Sequence, residues 1–301
     1  MSKKRLIVIA GPTASGKTAL AIHLAKNFQT CILSADSRQF YREVAIGTAK
    51  PSLEEQAGVI HHFIDSHSLE DPLSASVFAD QALLVLEEEF KTKNTIVLVG
   101  GSGLFIDALC IGLDKIPFNS EIRNQLNEEL VQVGLDALLA ELKVKDPIYF
   151  AQVDRANTSR VIRALEVIRN TGNTFSLYLE NNTKEQRQFE SHYFIINHPR
   201  EILYARIEKR VDQMISSGLL EEVKSVAHLA HLQTLNTVGY SELFRFLKAE
   251  ISLEEAIRLI KQNTRRYAKR QLTWFRRYEH AIWLENTEID LQVKEVLTNL
   301  K

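Results

Sequence analysis

The chain is poor in cysteine: only Cys31 and Cys110 occur in 301 residues, far apart and in apolar surroundings. A disulfide framework and a Cys-x-x-Cys zinc module are thereby excluded, and both thiols read as reduced core residues of a cytoplasmic protein. Neither sign of charge is in surplus. Lys and Arg number 37 against 38 Asp and Glu, a net charge of −1, so only a local concentration of charge can point to a nucleic-acid partner. No apolar run is long enough to span a membrane. The run after Lys3-Lys4-Arg5 has the outline of a signal peptide. It stops after five residues at Gly11-Pro12, too short for a signal core, and reads instead as a first strand. Internal repeats and low-complexity segments are absent. What remains is 45% hydrophobic, enough for one large core or two smaller ones.

The most informative stretch is Gly11-Pro12-Thr13-Ala14-Ser15-Gly16-Lys17-Thr18. It follows an apolar run, Leu6 to Ala10, and opens a helix-like segment, Ala19 to Asn27. Strand, G-x-x-x-x-G-K-T and helix are the parts of a P-loop. Glycines let the backbone curl so that successive N–H groups face one anion. The helix N-terminus adds its positive end. Lys17 supplies a mobile charge for outer phosphate oxygens, and the Thr18 hydroxyl is a ligand for Mg²⁺. Which phosphate compound is held does not follow from the motif.

A second strand, Cys31 to Ser34, ends at Ala35-Asp36-Ser37-Arg38-Gln39, and a third, Thr95 to Val99, ends at Gly100-Gly101-Ser102-Gly103. In an open α/β sheet, ligands bind at the carboxyl ends of strands, so Asp36 and Ser102 are expected beside the P-loop. Between these strands, Asp65 competes with Asp36 as a Walker-B-like acid for Mg²⁺. The neighbouring His61 and His62 project in different directions and make a poor metal pair, better read as packing or hydrogen-bonding groups. From Asn119 to Leu179 the periodicity is helical, and a polar stretch, Glu180 to Gln188, leads to a new strand, Tyr193 to Ile196. The expected organisation is an α/β, P-loop NTPase-like core with a mostly parallel sheet flanked by helices, plus an inserted helical domain. Its parts are residues 1–116, the insertion 117–187, and a return to the core over 188–301. In the insertion, Arg160 and Arg163 lie three apart on one helix face, which serves equally a solvated face with Glu166 or a ligand contact.

Arg206 and Arg210 lie four apart on a helix that Pro199 opens. Ser252 and Glu255 have the spacing of a capping box for a long helix reaching about Arg277. Its second half carries the charge asymmetry. Arg258, Lys261, Arg265, Arg266, Lys269, Arg270, Arg276 and Arg277 are accompanied by one acid, Glu279, between positions 258 and 280. Tyr267, Trp274, Phe275 and Tyr278 are interleaved. Such a run is the electrostatic footprint of a phosphate backbone, while the aromatics, Trp274 included, have the spacing of core residues.

Taken together, these motifs resemble the bacterial tRNA dimethylallyltransferase (isopentenyl-tRNA transferase) family. The resemblance rests on the P-loop, Ser34-Ala35-Asp36-Ser37-Arg38-Gln39, Ile46-Gly47-Thr48-Ala49-Lys50-Pro51 and Gly100-Gly101-Ser102-Gly103-Leu104-Phe105. It continues through Arg160-Val161-Ile162-Arg163-Ala164-Leu165-Glu166, Asn236-Thr237-Val238-Gly239-Tyr240 and the segment from Thr264 to Arg276. Departures are small: Ser102 where Thr is common, Phe105 for a frequent Tyr, and Ser159 where Gln is usual. The zinc finger of eukaryotic relatives is absent.

The resemblance implies transfer of a dimethylallyl group from dimethylallyl diphosphate to the exocyclic amine of the adenosine 3′-adjacent to the tRNA anticodon, with release of pyrophosphate. It implies that residues Gly11 to Thr18 hold the diphosphate, that Arg206 reaches it too, and that Mg²⁺ on Thr18 is the cofactor. Asp36 is implied as the acceptor of the amine proton. Thr13, Ser37, Arg38, Gln39, Ser102, Arg123 and the strip Ser159, Arg160, Val161, Ile162, Arg163 are implied to contact the anticodon stem-loop, with Lys269 and Arg270 of the basic helix on its phosphates. The protein is expected to act as a monomer. Two rivals are a P-loop small-molecule kinase using ATP, which leaves the basic helix unexplained, and a non-catalytic RNA-binding NTPase switch. Only the transferase gives Asp36 a proton to take.

Overall fold

In the computed structural model, which describes residues 3–113, 116–180 and 186–300, apolar runs pair into one six-stranded sheet. The strands are β1 (Arg5–Ala10), β2 (Ile32–Ser34), β3 (His61–His62), β4 (Thr95–Gly100), β5 (Glu190–Ile196) and β6 (Ile282–Leu284). Their order across the sheet is β3-β2-β4-β1-β5-β6, and every neighbouring pair is parallel. Parallel neighbours need crossovers, and helices supply them. Before β5 these are α1 (Lys17–Asn27), α2 (Leu53–Gln56), α3 (Ala75–Glu89) and α4 (Gly103–Cys110). Then come α5 (Ser120–Val133), α6 (Leu135–Lys145), α7 (Pro147–Gln152), α8 (Thr158–Thr171) and α9 (Phe175–Glu180). After β5 follow α10 (Arg200–Ser216), α11 (Leu219–Ser225), α12 (Tyr240–Leu247), α13 (Leu253–Phe275) and α14 (Ile289–Asn299).

The chain divides into two compact units, Met1–Ile111 with Arg187–Lys301, and Gly112–Gln186. The first holds the sheet. Along β1, Leu6, Val8 and Ala10 face one core layer, with Phe78 and Leu109. Ile7 and Ile9 face the other, with Leu20, Leu24 and Val296. That alternation buries both faces of the strand, so it reads as a continuous apolar run. Two strands escape the sequence reading. β6 consists of Ile282, Trp283 and Leu284, which pair with β5 from Phe194 to Ile196. β3 is the histidine pair, beside Ile32 and Leu33 of β2. Each is too short to show a period.

The second unit is helical, closed around Leu126, Leu142, Val161, Leu165 and Ile168. Its buried acids are satisfied. Asp146 caps α7, accepting from Tyr149 N at 3.0 Å and from Ser176 N at 2.8 Å. Residues 181–185 of the polar stretch lie outside the described residues.

Candidate active site

Three strands of the first unit end at the same edge of the sheet. β1 runs into the Gly11–Thr18 loop, β2 into Asp36, and β4 into Ser102. In the loop, Gly11, Ala14 and Gly16 all have positive φ, at 152°, 63° and 92°. This puts the turn into the left-handed region where a glycine costs nothing. The result is a concave backbone before the N-terminus of α1, the arrangement that binds anions. Ser15 lies inside it with a buried Oγ that has no hydrogen-bond partner among the described residues. A buried polar atom is seldom left unpaired.

Lys17 is held across the loop, its Nζ donating to Pro12 O at 2.8 Å. Burial lowers its pKa from 10.5 to about 8, Asp36 opposes that shift, and Arg210 reinforces it. Asp36 and Arg210 are therefore close enough to Lys17 to bias its charge, although they come from the end of β2 and from α10. Burial pulls the Arg210 guanidinium down from its usual value, with Asp36 again opposing. On the same helix Arg206 leans over the loop, with Nη1 2.7 Å from His198 Nε2 and 3.5 Å from Ser15 O. His198 Nε2 also lies 2.9 Å from Ser15 O, so this ring nitrogen sits between a guanidinium that only donates and a carbonyl that only accepts. Burial holds that imidazole below its usual pKa; the contact with Ser15 O opposes the shift and the Arg206 charge reinforces it.

The loops are tied together by side chains. Ser102 Oγ accepts from Ser37 N at 3.1 Å and donates to Ser37 Oγ at 3.0 Å, so the turns after β2 and β4 are one structure. Arg38 N donates to Asp36 Oδ1 at 3.1 Å, fixing one carboxylate oxygen and leaving the other free of it. Gln271 of α13 bridges the remaining gap. It accepts from Thr13 N at 2.9 Å and donates to Gly101 O at 2.9 Å. Tyr267, one turn earlier, has its hydroxyl pushed up to about 12 by burial and by Asp36. Sequence reasoning assigns no role to Gln271, His198 or Arg210, and reads Tyr267 only as one of the aromatics with core spacing. The i, i+4 spacing of Arg206 and Arg210 was the one available signal; the others become visible only when α13 and β5 are placed.

α13 is anchored at its end by a buried acid. Trp274 Nε1 donates to Asp107 Oδ2 at 3.1 Å and Tyr278 OH to Oδ1 at 2.5 Å. The Trp274 ring lies so near Gly103 that a Cβ there would fall 2.2 Å from it. Trp274 is thus a packing residue, half-buried, as its spacing implied.

The basic run is less unbalanced than its sequence. Lys261 pairs with Asp212 at 2.6 Å, Arg265 with Glu208 at 2.8 Å, and Arg258 with Glu255 at 2.7 Å. Two of those acids come from α10, which no local count includes. Lys269 and Arg270 are exposed and have no carboxylate partner among the described residues.

Elsewhere the structure sorts the expected contact residues. Gln39 is buried, its amide donating to Thr48 O and Ala49 O at 3.3 and 3.1 Å. The loop it holds is fixed from the other side by Glu222, which accepts from the backbone of Ala45, Ile46 and Gly47 and from Tyr240 OH. Asp65 is engaged by Lys50, and Lys17 feels Asp36 instead. In the helical unit, Val161 and Ile162 are core residues, 0% and 6% exposed, so their side chains are not available to an RNA. Arg163 and Arg123 both clamp the fully buried Glu166, each at 2.7 Å, and Arg163 also donates to Ile116 O and Pro117 O. Their first task is to close the unit. Ser159 and Arg160 are exposed.

Comparison with known proteins finds relatives along nearly the whole chain. A family model described as IPP transferase matches residues 39–278. A tRNA dimethylallyltransferase from Christiangramia forsetii is 48% identical over 94% of this chain and 94% of its own. One from Cytophaga hutchinsonii is 45% identical over 95% and 94%. The crystal structure of a tRNA isopentenylpyrophosphate transferase from Bacillus halodurans superposes with a TM-score of 0.73 at 35% identity, covering 99% of this chain and 96% of that one.

Proposed function

The chain belongs to the IPP transferase family, and from that premise we propose how its site works as a tRNA dimethylallyltransferase. The donor is dimethylallyl diphosphate, and the acceptor is the N6 amine of the adenosine 3′-adjacent to the anticodon. The observation that carries the reading is the convergence of an anion-binding loop, Gly11 to Thr18, with a carboxylate, Asp36, that lies close enough to bias Lys17.

In the reaction the bond between the allylic carbon and the diphosphate oxygen breaks while a bond from N6 to that carbon forms. Charge grows on the departing pyrophosphate. Lys17, the loop N–H groups and Arg206 stabilise it. The unpartnered Ser15 Oγ and the Thr18 hydroxyl are a fitting donor set for Mg²⁺, which supplies Lewis-acid stabilisation of diphosphate oxygens when bound. The amine is a poor nucleophile because its lone pair is delocalised into the ring. A base must take its proton as the new bond forms, and Asp36 has one carboxylate oxygen free of Arg38 to do so. The base must leave its stack to reach this edge of the sheet. Thr13, Ser37, Arg38 and Ser102 line its path, Gln39 supports them from beneath, and Lys269 and Arg270 meet phosphates. In the helical unit Ser159 and Arg160 offer further contacts, and Arg123 and Arg163 hold that helix through Glu166.

Unmodified tRNA incubated with the protein, Mg²⁺ and dimethylallyl diphosphate, then digested for mass spectrometry of nucleosides, tests this. One adenosine heavier by a prenyl group is expected. Unchanged nucleosides with tRNA shown to bind, or steady ATP turnover by the pure protein, would favour the rival readings.

A further inference from the structure

Away from the P-loop edge, Cys31, His62 and Glu89 bring a sulfur, an imidazole nitrogen and a carboxylate oxygen within 4.8 Å of one another. The register explains why. His62 pairs with Leu33 of β2, and His61 with Ile32. Side chains alternate along strands, so Cys31, Leu33 and His62 share the face covered by α3, and His61 points to the opposite one. Adjacent histidines are indeed a poor metal pair. One of them nonetheless meets a cysteine from the start of the next strand and a glutamate from the last turn of α3.

We propose that Cys31, His62 and Glu89 form a binding site for a divalent transition-metal ion of the zinc class. Thiolate, imidazole and carboxylate together are a borderline-soft set that suits Zn²⁺ or Co²⁺ and not Mg²⁺ or Ca²⁺, which take oxygen ligands. Bond lengths of about 2.0–2.3 Å place tetrahedral ligands roughly 3.3–3.6 Å apart. His62 Nε2 and Glu89 Oε1 are already 3.3 Å apart. A cavity of about 300 Å³ adjoins the cluster, lined among others by Cys31, Lys26, Lys93 and Ile60.

Without metal the site is held by other charges. Lys93 pairs with Glu89, and Glu89 faces His62. Burial, with Glu89 beside it, pushes the Cys31 thiol up to about 11, so the sulfur carries its proton. Binding exchanges both: the thiol proton is released as the metal–sulfur bond forms, and the Lys93 ammonium, on a side chain 27% exposed, moves off into solvent. A bound ion would then staple β2, β3 and α3, at the start of the strand that ends at Asp36. Three protein ligands and an open position make such an ion exchangeable.

The test is spectroscopic and independent of tRNA modification. Chelator-treated full-length protein is titrated with Co²⁺ and watched for the thiolate-to-cobalt charge-transfer band. One equivalent should develop the band, stoichiometric Zn²⁺ should bleach it, and proton release should accompany binding. Cys110→Ser should keep the band, Cys31→Ser should abolish it, and His62→Ala should weaken binding by about tenfold or more. Absence of the band in wild type overturns the proposal whatever the variants do. So does a band that survives in Cys31→Ser.

Discussion

Replacing Lys17 with Ala tests the anion site through both the charge and its titration. In the free protein Lys17 donates to Pro12 O at 2.8 Å, and burial pushes its pKa down to about 8. A hydrogen bond to a charged group contributes about 1.5–3 kcal/mol. Lys17→Ala should therefore weaken pyrophosphate binding in Mg²⁺ by roughly 10- to 150-fold at pH 7, with tRNA binding unchanged. The pH dependence follows from the depressed pKa. Below about pH 8 the ammonium is present. Above it the lysine must regain a proton to bind, so its contribution should fall by about tenfold per unit between about pH 8 and 10. At pH 8 about half a proton is taken up at this group per pyrophosphate bound. Pyrophosphate and its metal complex titrate too, so the quantity to measure is the difference between wild type and Lys17→Ala. Calorimetry in buffers of differing ionisation enthalpy provides it. The linked effect on folding has the opposite slope: the unfolded chain binds more protons between pH 8 and 10.5, so this group's contribution to stability rises with pH there. A difference in affinity that stays constant from pH 7 to 10 would refute the reasoning about the lysine's surroundings, and equal affinities would remove Lys17 from the site.

Asp36→Asn keeps the shape and can still accept from Arg38 N, but cannot take the amine proton. Single-turnover prenylation at saturating substrates should slow by about 10²–10⁴-fold with both substrates bound nearly as in wild type, and a rate within a few-fold would assign the base elsewhere. Lys269→Ala and Arg270→Ala should each reduce the log–log salt slope of tRNA binding by about 0.7–0.9. Arg265→Ala, whose charge is already met by Glu208, should change it less; equal changes would mean the pairing is lost in solution. Gln271→Ala removes the link between Thr13 N and Gly101 O. It should raise the KM for dimethylallyl diphosphate with little change in melting temperature, whereas a purely structural role would move only the latter. Gly103→Ala forces a Cβ against the Trp274 ring and should destabilise by about 1–3 kcal/mol, read from denaturant unfolding; an unchanged midpoint would mean α13 sits farther from α4.

What the sequence determined by itself is what short spacing encodes. The P-loop is eight consecutive residues whose glycines, lysine and hydroxyl act together because they are neighbours, and β1 and β4 advertise themselves as buried runs. The helices from α5 to α8 follow from their 3.6-residue period. Asp36 and Ser102 could be placed at one edge because parallel strands share a polarity. Tertiary structure decided everything that depends on distant partners. It showed Arg163 and Arg123 turned inward to a buried Glu166, where a local reading leaves Arg163 equally free to face a ligand. It showed Arg258, Lys261 and Arg265 neutralised by carboxylates, two of them carried by α10. It gave Gln271 a bridging position between two loops that lie more than 150 residues before it. β3 and β6 also needed the sheet, since two or three residues carry no period and become strands only by pairing with β2 and β5. The physical reason is the same throughout. Backbone preference and hydrophobic period act within a few residues and can be read along the chain, whereas burial and charge pairing belong to the packed molecule.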